Sequence, residues 1–199
     1  MINISATVKG HGLIKDNKTG EILLDKYNAI HNKNLAIALA RGLAAQVPDA
    51  TTGLRTNQIF KIKLGNGGSS VDTLGVITFN PPNVVSPTAT LYNETYSEII
   101  DDSSANAPAE NSVTWMEDPS PNSTSTIIVC SAIISADEPS GQLLTDTDPA
   151  NSVNNQFAFD EMGLFTSDDL LLSHLIFAPL LKTANRELAL TYTLTITVN

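Results

Sequence analysis

Strict alternation of apolar and polar residues is the dominant pattern of the chain, and it is clearest in residues 187–198, ELALTYTLTITV. Leu188, Leu190, Tyr192, Leu194, Ile196 and Val198 share one face, while Ala189, Thr191, Thr193, Thr195 and Thr197 share the other. A period of two marks a strand with one face on a core. With only Asn199 beyond it, this strand reads as a locked element with no tail, catalytic appendage or membrane anchor after it, which suits a building block. At the other end Ile2, Ile4, Ala6 and Val8 alternate and Gly10 and Gly12 punctuate. A second strand near residues 13–15 then meets the turn Asp16-Asn17-Lys18-Thr19-Gly20 before a third over residues 21–24, a hairpin signal.

Residues 59–64 alternate again, with Phe60, Ile62 and Leu64 on one face and Lys61 and Lys63 on the other, ending at Gly65-Asn66-Gly67-Gly68. Residues 113–115 form a short strand, and residues 157–159, 163–165 and 170–178 form further ones, the last hairpin turning at Ser167-Asp168-Asp169. Residues 125–135 are apolar on both faces: Ile128, Cys130, Ala132 and Ile134 point one way, Ile127, Val129 and Ile133 the other. Such a strand is expected to be covered on both sides, by the helix, another sheet or a neighbouring subunit.

One helix is predicted, over residues 33–46, with Asn32 or Asn34 as N-cap and a stripe of Leu35, Leu39 and Leu43. Pro48 forbids its continuation. Residues 65–89, 101–121 and 137–155 read as loops rich in Pro, Ser, Asn and Asp. No fixed-period repeat is present, which argues against a solenoid or propeller. About eight to ten strands and one helix give a mainly β chain: an antiparallel β-sandwich or jelly-roll-like domain with long loops, a single domain over residues 1–199.

Composition sharpens this picture. Of the 199 residues 42% are hydrophobic, enough for a core, but only 16% are charged, so Asn, Ser, Thr, Asp and Gly must cover the surface. The net charge is −10, and Lys and Arg are scattered. Nucleic-acid binding is therefore not expected, because it draws on clustered basic residues, and neither is docking to an anionic membrane. No apolar run approaches a bilayer span, and MINISATVKGHG lacks the basic and apolar regions of a signal peptide, so the chain is expected to be made in a cytoplasm and to stay soluble. The single cysteine, Cys130, excludes an internal disulfide and is expected to be a buried small apolar residue.

Candidate chemistry is sparse. Gly65-Asn66-Gly67-Gly68-Ser69-Ser70 follows a strand, where a phosphate loop would sit, but it lacks the Lys-Ser/Thr ending and the following helix; it is read as a glycine turn needing positive φ. His11, His31 and His174 lie in separate elements with no zinc-ligand spacing. The acidic pairs Asp101-Asp102, Asp146 with Asp148, Asp160-Glu161 and Asp168-Asp169 match no EF-hand and are expected to be solvated turn carboxylates. There is no G-x-S-x-G, and two facing glycosidase carboxylates cannot be paired. Ser173-His174 lies within an apolar strand, where His174 is read as a core or interface histidine with a satisfied hydrogen bond. No catalytic, cofactor-binding or metal-binding residue is assigned.

Three groups of segments carry a resemblance. The first is TGEILLDKYNAIH over residues 19–31, running into the alanine-rich helix. The second is IKLGNGG over 62–68 with ITFNPPN over 77–83 and LYNETYS over 91–97. The third is FDEMGLF over 159–165 with LSHLIF over 172–177 and the terminal strand. Together they resemble structural proteins of tailed-bacteriophage virions, particularly those of marine and cyanobacterial hosts, and more loosely the attachment domains of tail-fibre, collar and decoration proteins. The resemblance implies a non-enzymatic virion component, made in a host cytoplasm, contacting other virion proteins and carrying no cofactor; the two-faced apolar strand at 125–135 and the long neutral loops predict a homo-oligomer or obligate contact with another virion protein, with the loops at 101–121 and 137–155 at the contacts. An alternative within the particle is capsid decoration. An alternative from another class is a carbohydrate-binding module using Trp115, Tyr92 and Tyr96 with an acidic pair, although only 6% of residues are aromatic.

Overall fold

A computed structural model describes residues 5–43, 58–101, 108–120, 123–139 and 158–198. Its strands are β1 (Ala6–Asp16), β2 (Ile22–Tyr27), β3 (Ala29–Ile30), β4 (Ile59–Gly65), β5 (Ser69–Val71), β6 (Ile77–Phe79), β7 (Glu94–Ile99), β8 (Ser112–Glu117), β9 (Ser125–Ile134), β10 (Ala158–Thr166), β11 (Leu171–Leu181) and β12 (Leu188–Val198), with one helix, α1 (Asn32–Leu43). They form two antiparallel five-stranded sheets, ordered β2-β1-β12-β9-β8 and β3-β11-β10-β4-β7, and a two-stranded ribbon β5-β6. The chain is mainly β with a single described helix, as the alternation pattern implied.

The two large sheets share one core, the arrangement expected of a β-sandwich. Ile14, Cys130, Leu190, Tyr192 and Leu194 come from the first sheet and Ile62, Leu64, Met162, Leu164 and Leu175 from the second. The period-two reading of β12 holds from Leu188 to Leu194, which with Leu190 and Tyr192 are buried while the alanine and threonines between them stay half-exposed; it lapses at the strand's end, where Ile196 is half-exposed and Val198 exposed. Register fixes this, because sliding β12 by one position against β1 and β9 would turn every leucine outward.

Several expectations are corrected. Gly10 and Gly12 do not break the N-terminal strand; β1 runs through both. A Cβ at Gly12 would lie 2.6 Å from Leu175 Cδ2 of the other sheet, and one at Gly10 would overlap the Asn28 side chain, so these positions are bare to let those side chains approach. The hairpin after Asp16 is present, with Gly20 at φ 74° and the Asp16 carboxylate accepting the N–H groups of Lys18 and Thr19. Residues 157–165 were expected as two short strands; the described part forms one, β10. The stretch read as loop after Gly65 contains the ribbon β5-β6.

The helix also differs. Its N-cap is His31, not an asparagine: the His31 carbonyl accepts from Leu35 N–H at 3.0 Å and its Nδ1 from Asn34 N–H at 3.2 Å. Among the helix residues with described side chains, Asn34 and Ala38 are buried, Leu35 is half-buried and Leu39 is 42% exposed, so the core-facing positions are not the expected leucines. Residues 44–46 lie outside the described residues. On β9 Cys130, Ala132 and Ile134 are buried and Ile128 half-buried, but Ile127, Val129 and Ile133 remain half-exposed, so within the described residues neither the helix nor the second sheet covers that outer face.

Candidate functional site: a sealed carboxylate junction and two open apolar surfaces

The densest polar cluster is built by a fault in a strand. The β10 ladder shifts register between Phe159 and Glu161 on the β11 side. That bulge allows Phe159 and Met162, three positions apart, both to join the core, while the carboxylates between them reach a neighbouring turn. Asp160 Oδ1 accepts from Gly68 N–H at 2.8 Å, and its Oδ2 accepts from Ser69 N–H at 2.7 Å and Ser69 Oγ at 2.6 Å. Glu161 Oε1 accepts from Gly67 N–H at 3.1 Å and Asn93 N–H at 2.8 Å. Its Oε2 accepts from Tyr92 N–H at 2.9 Å and His174 Nε2 at 3.0 Å.

The glycine turn is thus an anion cradle, and the anions are the chain's own. Its N–H groups converge as they would on a phosphate, but Asp160 and Glu161 already occupy them. Positive φ is not what requires glycine here; among described glycines it occurs only at Gly20 and Gly75. Crowding is the cause. A Cβ at Gly65 would sit 2.3 Å from Asn93 O, at Gly67 2.7 Å from Asn93 N, and at Gly68 2.7 Å from Asp160 O.

Residues 80–93 strap this junction. Asn80 N–H donates to Gly68 O at 2.8 Å, Asn83 N–H to His174 Nδ1 at 2.8 Å, and Leu91 packs with Ala89, Phe165 and Leu171 in a second small cluster. Because His174 Nδ1 accepts, its proton sits on Nε2, pointing at Glu161, and both ring nitrogens are occupied. Burial pushes the Glu161 carboxyl up, but the donors His174, Asn93 and Tyr92 outweigh it and hold the group below its ordinary value. A general base must reach a substrate proton; Glu161 and His174 are both 0% exposed and face backbone instead.

His174 is therefore the satisfied core histidine expected from the sequence, whereas Asp160 and Glu161 are not solvated turn carboxylates. Asp101 is also buried, and Asp102, Asp146 and Asp148 lie outside the described residues. Asp168 and Asp169 do sit in a turn, with Asp169 at φ 62°, but they are paired: Asp168 with Arg41 at 2.6 Å, Asp169 with Lys61 and Lys63 at 2.8 Å each. His11 contacts Asp25 at 2.6 Å on the outer face of the first sheet, far from His31 at the helix start in the chain's wiring. Among the described residues no group of His, Cys, Asp and Glu is arranged to hold a metal ion. Cys130 is fully buried, and burial pushes its thiol up to about 12.

No family model, curated protein or solved structure matches this chain. No helix among the described residues is long and apolar enough to cross a membrane.

The three aromatics considered for sugar stacking are in different settings. Tyr92 lies 5.8 Å from the His174 ring and donates its hydroxyl to Pro81 O, Tyr96 faces Phe159 and bonds Glu98, and Trp115 stands on edge strand β8, 70% exposed. Among the described residues, Trp115 lines a mainly apolar groove with Leu35, Ala38 and Leu39 of α1, Leu194 and Ile196 of β12, and the buried Asp101. A second open apolar surface is the β5-β6 ribbon. Every residue from 70 to 82 is exposed, including Val71, Leu74, Val76, Ile77 and Phe79. Alternation did not flag this arm, because VDTLGVITF has the composition of a loop interrupted by short apolar pairs.

Proposed function

We propose that this chain is a non-enzymatic structural subunit that assembles with copies of itself and with other proteins, and that its setting is the virion of a tailed bacteriophage, on the tail, neck or baseplate. One observation carries the assembly reading: the reactive polar groups of the junction are buried, and beside the apolar core a second set of large apolar side chains is exposed. Asp160, Glu161 and His174 are consumed in holding three chain segments together, while Leu74, Val76, Phe79, Trp115 and Met116 are offered to solvent. Exposed apolar surface of this kind marks protein contacts. The phage setting is supported by the motif resemblance, whose glycine turn, LYNE and FDEMGLF segments are the ones that meet at the Glu161 junction.

Mass spectrometry of purified tailed-phage particles carrying this sequence, followed by a low-resolution map, tests the reading. Multi-copy presence with density on the tail, neck or baseplate is expected; density on the capsid lattice would make it a decoration protein. Absence from particles, together with calcium-dependent binding on a glycan array, would replace it with the carbohydrate-binding alternative.

A further inference from the structure

Tyr96 is the meeting point of two carboxylates from different parts of the fold. Its hydroxyl donates to Glu98 Oε2 on the same strand, β7, and lies 3.3 Å from Glu138 Oε2 in the loop that follows β9. β7 is an edge strand of the second sheet and β9 belongs to the first, so this contact clasps the two sheets. A second clasp beside it is fixed: Asn111 Nδ2 donates to Glu98 Oε1 at 2.7 Å and to Ile99 O at 2.8 Å, and its Oδ1 accepts from Ile133 N–H at 2.9 Å.

The two acids differ in freedom. Glu98 is 5% exposed and held at both oxygens, whereas Glu138 is exposed and can turn to water. A phenol carries one proton and an ionised carboxylate none. With both acids ionised, one proton therefore lies among three oxygens and bridges only one of the two gaps; across the other, a carboxylate faces an oxygen lone pair. One more proton bridges both. The Glu98 carboxyl then donates to the Tyr96 oxygen and the Tyr96 hydroxyl to Glu138, or the chain of donors runs the other way.

The surroundings hold that proton in place. Burial pushes the Glu98 carboxyl above its ordinary range, Tyr96 and Asn111 oppose this with their hydrogen bonds, and Glu138 adds to the rise. Burial pushes the Tyr96 phenol up as well, with Glu98 and Glu138 in the same direction, so the tyrosine keeps its own proton throughout. The other charged groups described on the loop side are Asp137 and Lys182, whose ammonium donates to Ala136 O at 3.2 Å and lies in the field of Asp137, Glu138, Glu187 and Lys18. Lys182 favours an ionised Glu138, which leaves Glu98 as the acid that keeps the proton.

We propose that Glu98 and Glu138 share one proton through Tyr96, and that this proton fastens residues 135–139 to β7, docking the loop in acid and releasing it as pH rises. A carboxyl held above its ordinary value keeps its proton in the folded chain at a pH where the unfolded chain has released it. The clasp therefore adds stability in acid and loses it as pH rises through the folded value, the opposite sense to Glu161. Two acids coupled in this way titrate as a pair. The device depends neither on the virion setting nor on self-assembly.

The test is a carbon-13 NMR titration of the full labelled chain between about pH 3 and pH 8. The Glu98 carboxyl is expected to titrate above its ordinary 4.5, with the amide signals of Ala136 and Glu138 moving in the same step. Glu138→Gln, at an exposed position, gives Tyr96 a donor that does not titrate, so the Glu98 midpoint should fall and the loop amides should lose their step. Tyr96→Phe, which keeps the ring against Phe159, should uncouple the loop amides from Glu98. A Glu98 midpoint at or below 4.5 in wild type, loop amides that do not follow it, a midpoint unmoved by Glu138→Gln, or coupling that survives Tyr96→Phe would overturn the proposal.

Discussion

His174 Nε2 lies 3.0 Å from Glu161 Oε2, with both side chains wholly excluded from solvent. The imidazole holds a carboxylate that also receives three backbone N–H groups from two separate segments, Gly67 and the Tyr92-Asn93 pair. One side chain thereby fixes the glycine turn, the strap and β11 relative to each other. Replacing Glu161 by Gln leaves shape intact but forces an NH2 group against donors, and breaking a buried pair of this kind typically costs roughly 3–5 kcal/mol. Urea denaturation of Glu161→Gln is expected to show a loss in that range; a change under 1 kcal/mol would show that the junction is not structural.

The same carboxylate sets an acid limb. Its folded value lies below its ordinary 4.5, since its donors outweigh burial. The unfolded chain therefore takes up the proton first as pH falls, and the stability Glu161 contributes is present above about pH 4.5 and lost as pH falls through the folded value. Wild type should lose stability over that window more steeply than Glu161→Gln, measured by urea midpoints from pH 7 to pH 3.

Lys182 gives an alkaline counterpart. Burial lowers its ammonium to about 8, the carboxylates of Asp137, Glu138 and Glu187 opposing the shift, and the side chain, 0% exposed, donates to Ala136 O and Thr183 O at 3.2 Å each. Between pH 8 and 10.5 the unfolded chain holds a proton that the folded chain has released, so stability rises with pH across that window. Lys182→Met should flatten this rise in urea midpoints taken from pH 7.5 to 10; an unchanged slope would assign it to other groups.

Glycine positions separate crowding from backbone strain. Gly67→Ala puts a Cβ 2.7 Å from Asn93 N and Tyr92 Cβ and is expected to cost about 1–3 kcal/mol. Gly75 has φ 82° and nothing within 4 Å, so Gly75→Asn, which tolerates left-handed backbone, should cost less than about 1 kcal/mol. Thermal melts of the two variants check the order.

On β12, Leu194→Ala is expected to cost roughly 2–5 kcal/mol through lost burial and a cavity, and Thr195→Ala to stay within about 1 kcal/mol. Leu194 is 2% exposed and Thr195 half-exposed on the outer face. Equal effects would mean that the outer face is also covered.

Sequence alternation made β4, β9 and β12 legible because each keeps a regular pleat with one face on the core. It failed where the pleat breaks. At Asp160 and Glu161 two adjacent charges sit between Phe159 and Met162, and no period-two pattern allows both apolar residues inward; only the bulge does. The clue was available in the apolar flanks of those carboxylates, FAFDEMGLF, which are poor surroundings for a solvated turn. His31 was missed as a cap because Asn32 and Asn34 are the commoner choices, while its ring accepts Asn34 N–H locally and is held in place by Ser86 O of the strap, 55 positions away. The glycines of 65–68 were marked as needed for positive φ, but the reason is crowding by Tyr92, Asn93 and Asp160, 25 or more positions away, which local pattern cannot see.

The place of β12 between β1 and β9 has a bearing on timing during synthesis. β1 precedes its partner β12 by more than 170 residues, so the first sheet stays without its central member until that length of chain has been made. At translation rates of roughly 5–20 residues per second this wait is about 10–40 s. Through that interval the inner edge of β1 and the apolar face of β9 are open to unwanted pairing, which makes the nascent chain a natural client for chaperones.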